Sequence, residues 1–246
     1  MPRFIALSGP SCAGKTPLYK ALKQFYPELV KDLQKVVMYN DRSPRPGERD
    51  GIDYHFRARD EIERLRENEG YIVIPVRCDL QAFEIAGLNK ILDSGRHAFF
   101  EGNPFIVSVL RTSGVLSEIE TTTVFLSPLS REEIQFFKQP DKRVSLQGLL
   151  TDIMRRKLLR RTQKQKGILS APDLENIEIR CGSAYREMQE AHHFDFVIPN
   201  HDGEDSEHWD AFYYPIGEAR QTLEAFASIL RGETPTISEK WESDLI

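Results

Sequence analysis

Phe4-Ile5-Ala6-Leu7-Ser8-Gly9-Pro10-Ser11-Cys12-Ala13-Gly14-Lys15-Thr16 is the stretch that decides the fold. Its first four residues are a short apolar run, which predicts a buried strand. Residues 9–16 then meet Gly-x-x-x-x-Gly-Lys-Ser/Thr at every defined position. From Lys15 to about Phe25 the spacing is helical, with Leu18, Ala21, Leu22 and Phe25 on one face. Strand, glycine loop and helix form the setting in which this pattern binds phosphate. Backbone N–H groups of the loop converge on phosphate oxygens, and the helix N-terminus adds the positive end of its dipole. Nucleotide binding is therefore expected at Gly9, Ser11, Cys12, Ala13, Gly14, Lys15 and Thr16. Lys15 brings a point charge to the β- and γ-phosphates, and the Thr16 hydroxyl is a candidate Mg²⁺ ligand. The glycines let backbone approach the ligand closely. Pro17 follows directly, at a position the first helical turn tolerates. Cys12 lies in an N–H-rich loop at a helix N-terminus, so a lowered pKa and sensitivity to thiol reagents are expected of it.

Working outward, apolar runs predict further strands at residues 36–38, 71–76, 97–100, 121–126 and 194–198. Helical spacing or composition predicts helices at 60–68, 86–93, 149–165, 173–192 and 216–230. Alternating strands and helices imply an α/β fold with a mainly parallel sheet between helical layers, here a three-layer P-loop NTPase fold. Residues 1–205 read as that domain, with an acceptor-binding insert near 35–90 and a basic lid near 145–175. Residues 206–246 read as a C-terminal helix and polar tail packed on the same domain, the tail loosely ordered after Arg231. The 246 residues give room for one such domain, and 40% hydrophobic with 29% charged residues is ordinary for a soluble protein. A net charge of −5 argues against a general nucleic-acid binder. No apolar run approaches the ~18 residues of a membrane span. The N-terminus has no basic n-region, which argues against a signal peptide. Cys12, Cys78 and Cys181 are widely spaced with no CxxC pair, as expected of reduced thiols in a cytoplasm.

The second informative segment is Arg42-Ser43-Pro44-Arg45-Pro46-Gly47-Glu48-Arg49-Asp50-Gly51-Ile52-Asp53-Tyr54-His55-Phe56. Two arginines stiffened by prolines and followed by a tyrosine can form an anion clamp, because Arg offers bidentate donors and Tyr a hydroxyl. Taken alone, the segment reads equally as a solvated charged loop. It resembles the guanylate kinase motif RxPRxGExxGxxYxF at every defined position, and the resemblance runs from Phe4 to about Asn200. The resemblance implies that Arg42, Arg45 and Tyr54 hold the acceptor phosphate and that Glu48 closes the loop. It places Glu101 and Asn103 at the two acidic positions of the family's LDxD segment, with Glu101 a metal or acceptor ligand beside Thr16. It places Arg155, Arg156, Arg160 and Arg161 on the lid, and Arg180 and Asn200 at later family landmarks. Lys15, Arg42, Arg160, Arg161 and Arg180 become the implied catalytic set.

The resemblance fails at the base-reading positions. Guanylate kinases read guanine with a hydroxyl residue before the first arginine, and with a Glu and a Tyr-Tyr-Gly segment downstream. Here Met38 takes the first place, and Val76-Arg77-Cys78-Asp79-Leu80-Gln81-Ala82-Phe83 replaces the second. Asp79, Gln81 and Asn103 are candidate readers of another base or a sugar. The function expected is transfer of the γ-phosphate of ATP, with Mg²⁺, to GMP or another nucleoside monophosphate. Two alternatives are a kinase of a phosphorylated sugar on the same fold, and a non-catalytic interaction module that keeps nucleotide. Lys15 and Thr16 favour an enzyme. The expected partner is a small phosphate acceptor, with neither nucleic acid nor membrane involved.

Overall fold

The computed structural model describes residues 1–45 and 47–246, so Pro46, read above as one of the prolines stiffening the clamp, lies outside the described residues. In chain order the strands are β1 (Phe4–Ser8), β2 (Leu33–Lys35), β3 (Tyr39–Asn40), β4 (His55–Phe56), β5 (Tyr71–Val76), β6 (Asp79–Glu84), β7 (His97–Gly102), β8 (Thr121–Ser127) and β9 (Phe196–Pro199). The helices are α1 (Lys15–Phe25), α2 (Pro27–Val30), α3 (Arg59–Arg64), α4 (Ile85–Asp93), α5 (Pro104–Thr112), α6 (Arg131–Phe137), α7 (Leu146–Lys166), α8 (Ala171–Gly182), α9 (Ala184–Gln189) and α10 (Gly217–Leu230). One sheet has strand order β2-β7-β1-β8-β9, with β2 parallel to β7 and β8 parallel to β9. The other has order β4-β3-β6-β5 and is antiparallel except for the β3–β4 pair. β1 is buried along its whole length, as its unbroken apolar run requires of a strand covered on both faces.

The chain divides into two compact units. The first comprises Met1–Ala6, Asp32–Phe100 and Phe105–Thr122; the second comprises Leu7–Lys31, Glu101–Pro104 and Thr123–Ile246. In the first unit α3 lays Ile62 on Leu80 and Ala82 of β6, with Tyr39, Leu65 and Val73 packed around them. The other residues of β6 therefore face the opposite side of that sheet. In the second unit α7, α8 and α9 close a core of Met154, Leu158, Ile177, Cys181 and Ala184, which Cys12 joins. The ends of α7 and α8 are set by local chemistry. Ser145 Oγ accepts the Gly148 N–H, and Ser170 and Asp173 form a reciprocal capping box.

Several sequence expectations are corrected. Residues 36–38 form no strand. Val36 still donates to Phe99 O, but by Tyr39 the chain has joined the other sheet. Val36 and Met38 are apolar because they are buried, not because they sit in a ladder. β6 was not foreseen, because its alternation places Asp79 and Gln81 among apolar residues. Residues 173–192 break at Ser183 into α8 and α9, and a 3₁₀ turn follows at Glu190–His193. The tail after Arg231 is tied down. Glu239 and Val197 exchange backbone hydrogen bonds of 2.7 and 2.9 Å, Trp241 is buried within 6.5 Å of the Phe125 ring, and Lys138 Nζ donates to the carbonyls of Asp244 and Leu245. Among the described residues, no helix is long and apolar enough to cross a membrane.

Candidate active site

The phosphate loop is built by backbone. Gly9 has φ 144°, and a Cβ there would lie 2.4 Å from Leu126 O. Gly14 has φ 101°, and a Cβ there would lie 2.6 Å from Asn200 Nδ2. Only glycine fits such conformations without strain. Lys15 Nζ donates to Gly9 O at 2.9 Å and to Pro10 O at 2.8 Å, so the ammonium ties the two ends of the loop together. Thr16 Oγ1 donates to Glu101 Oε1 at 2.8 Å, which joins the hydroxyl at the start of α1 to the carboxylate near the end of β7. Arg180 of α8 is buried, and its Nε donates to Ser11 Oγ at 3.0 Å. Asn200, past the end of β9, donates to Ala13 O at 2.8 Å.

Cys12 corrects an expectation. It holds a left-handed φ of 68°, and its side chain goes into the apolar core under α7 and α8. Burial pushes its thiol far above the ordinary range, and Glu204 adds to the rise. Cys12 Sγ donates to Asp205 Oδ1 at 3.8 Å, so the sulfur meets carboxylates that disfavour the thiolate, and the position in the loop does not activate it.

The segment after Asn200 carries charges that the sequence reading did not use. Lys157 of α7 donates to His201 O at 2.5 Å and to Asp205 Oδ1 at 3.3 Å, and Arg160 lies 3.9 Å from Asp205 Oδ2. Burial pushes Glu204 upward, but Lys15 and Arg161 outweigh it and hold the carboxyl below its usual range. Arg161 Nε is buried and makes no hydrogen bond among the described residues. Arg155 is held by Glu178 and Asp152, and Arg156 by Asp152 O. Asn103 Nδ2 donates to Glu187 Oε1 of α9 at 3.0 Å, and Ser183 Oγ donates to the same oxygen at 2.7 Å.

The acceptor loop of the first unit is built by side chains. Arg42 meets Glu48 through two bonds, Nη1 to Oε2 at 2.7 Å and Nη2 to Oε1 at 2.8 Å. Glu48 Oε2 also accepts the Arg45 N–H at 2.8 Å. The guanidinium lies 5.1 Å from the Tyr54 ring centre and 5.4 Å from that of Phe56. Burial pushes Arg42 down and Glu48 up, but their mutual hydrogen bonds outweigh it, so Arg42 is raised and Glu48 lowered. Asn40 Oδ1 accepts the Arg42 N–H at 3.1 Å. Asn40 and Gln81 are register partners on β3 and β6, and both are buried. Asp79, two residues before Gln81, is pushed up by burial.

The family model for guanylate kinase matches residues 1–156. The chain belongs to the guanylate kinase family. It is 32% identical over 138 residues to a guanylate kinase of Chlamydia abortus, 54% of this chain and 62% of that protein, so the chain spans under two thirds of this relative's length. A guanylate kinase of Chlamydia muridarum is 25% identical over 206 residues, 82% of each protein. The crystal structure of guanylate kinase from Anaplasma phagocytophilum superimposes with a TM-score of 0.55 at 19% identity, covering 94% of this chain and 85% of that one, which shows the fold. The guanylate kinase match takes in the phosphate loop and the clamp but stops before Arg160, Arg161 and Arg180. The sequence reading missed Asn40, Glu187 and Glu204. The acidic run Asp202-Gly203-Glu204-Asp205, just after a strand-end Asn, was an available signal for Glu204. Nothing in the pattern of α9 marks Glu187.

Proposed function

We propose that this chain transfers the γ-phosphate of ATP to a nucleoside monophosphate, with GMP the default acceptor. The observation that carries this reading is that a family member retains both halves of the chemistry: a phosphate loop held by Lys15 and an arginine clamp on Glu48. The loop N–H groups and the α1 N-terminus hold the donor phosphates, with Lys15 neutralising their charge. Arg42, Arg45 and Tyr54 fix the acceptor phosphate and bring its oxygen in line. That oxygen is already anionic at neutral pH, so the transfer needs no general base. Arg160, Arg161 and Arg180 supply positive charge as negative charge develops. Arg180 is the best prepared of the three, because Ser11 fixes its guanidinium against the loop.

Thr16 and Glu101 fit a magnesium ion. Both are hard oxygen donors already within hydrogen-bond distance, and magnesium bound with nucleotide needs only one or two protein ligands beside phosphates and water. When bound, the metal would neutralise and orient the donor phosphates. The three cysteines are unpaired thiols, which supports a cytoplasmic protein.

The test is coupled ADP release across nucleoside monophosphates and sugar phosphates. Turnover with a nucleoside monophosphate is expected. ADP release with sugar phosphates alone, or with no acceptor in the panel, would overturn the reading.

A further inference from the structure

An anion of the chain itself stands at the phosphate loop. Gly203 packs on the loop's main chain so closely that a Cβ there would lie 2.0 Å from Cys12 O. Gly14 meets the same segment, with its Cβ position 2.9 Å from Asp202 O. Asn200 Nδ2 bridges Ala13 O and Asp202 O, both at 2.8 Å. Trp209 Nε1 anchors the segment further, donating to Asp202 O at 2.8 Å and to Gly203 O at 3.1 Å. Glu204 is carried on this anchored turn. Its Oε2 is buried and makes no hydrogen bond among the described residues. Buried carboxylate oxygens normally accept hydrogen bonds, so this one is held by charge instead. The groups that face the carboxylate are Lys15, Arg161, Cys12 and Arg180. The neighbouring Asp205 takes Lys157 at 3.3 Å and Arg160 at 3.9 Å. Lys15, Arg161 and Arg180 are the cations assigned above to the donor phosphates and the developing charge. Gathered without an anion, they would repel one another.

We propose that Glu204 is an internal counter-ion of the donor site, which the phosphates of ATP must displace in order to bind. This role rests on the donor reading above. The segment that carries it lies beyond residues 1–156, which the guanylate kinase model matches. Glu204 sets the affinity of the site by stabilising its empty form, because apparent affinity falls with the fraction of protein that can accept ligand. It also keeps Lys15, Arg161 and Arg180 gathered before nucleotide arrives. As ADP leaves, the carboxylate returns to the cations, so product release and the closing of the turn on the loop are one event.

Calorimetric titration with ATP and ADP, beside thermal unfolding of the nucleotide-free protein at neutral pH, tests this without turnover. Glu204→Gln keeps the shape of the side chain and removes its charge. It should bind both nucleotides about tenfold more tightly, while its nucleotide-free form melts about 2 to 4 °C lower. A carboxylate with a merely structural role would lower stability and affinity together. A variant that binds ATP as wild type does, or more weakly, would overturn the assignment and leave the donor reading standing. No ATP binding by either protein would defeat the donor reading and this role with it. Wild type gives a second measurement where the variant does not fold. As ATP binds, hydrogen exchange should slow over residues 9–16 and quicken over residues 203–206, because the displaced turn loses its hold on the loop. Slower or unchanged exchange over residues 203–206 would overturn the assignment.

Discussion

The phosphate loop and the acceptor sheet are two solutions to holding a nucleotide. The loop is made of main chain: two glycines in left-handed or near-extended conformations, carbonyls capped by Lys15, and a helix N-terminus. The proposed acceptor site is made of side chains: Arg42 on Glu48, with aromatic rings beside the guanidinium. Backbone geometry demands particular residues at particular spacings. A side-chain site can be rebuilt one residue at a time while its frame stays. On the proposed reading, the difference accounts for a loop that meets its family pattern at every defined position beside an acceptor segment that departs from it at the base-reading positions.

The largest test removes the charge from the main-chain site. Lys15→Ala should lower phosphoryl transfer by about 10³-fold, since one preorganised electrostatic donor is worth that order, with the fold retained by circular dichroism. Near-normal ADP release in this variant would remove the loop from the chemistry and break the comparison. Arg42→Ala should weaken every accepted monophosphate by a similar factor of about 10 to 100, because it touches only the shared phosphate. A loss confined to one base would move Arg42 from clamp to reader.

Two ion pairs, one in each compact unit, should also answer pH with opposite sign. Glu48 is held below its ordinary value of 4.5, so its stabilisation is present above that pH and is lost as pH falls through the folded value. His201 lies between Glu218 and Glu133 at 2.9 and 3.0 Å; burial pushes it down, but the two carboxylates outweigh it and raise it above 6.5. Its stabilisation is present below that pH and is lost as pH rises through the folded value. The melting-temperature gap between wild type and Glu48→Gln should therefore close toward acid. The gap between wild type and His201→Gln should close toward alkali. Gaps that close on the same side would contradict the assignment. The smallest effect concerns thiols. Iodoacetamide should label exposed Cys78 in the folded protein and leave buried Cys12 and Cys181 unmodified, as mass spectrometry of the native protein would show.

The same contrast sets what the sequence could disclose. The reading located β1, the loop and α1 closely, because the apolar run, the glycines and the helical face all agree. In the Arg42–Phe56 segment, the loop-closing place expected of Glu48 is where the structure puts it, on Arg42 and the Arg45 N–H. β6 and Asn40 were not legible, because a polar residue on a sheet face looks like a solvent-exposed one until the pairing strand is known. Cys12 misled for a related reason: position in a loop says nothing about which way a side chain leaves it. The buried Glu187 pairs with residues 84 and 4 positions away, and no local pattern encodes the first of these.

The tail has a kinetic consequence. β9 is the last strand of its sheet, and an uncovered edge strand is a template for pairing with another chain. Glu239 supplies the missing backbone partner to Val197 from 42 residues further along. During synthesis that edge stays bare until α10 and the residues after it have been made. Ribosome pausing within this stretch would lengthen the interval in which the β9 edge lacks the backbone partner that Glu239 supplies.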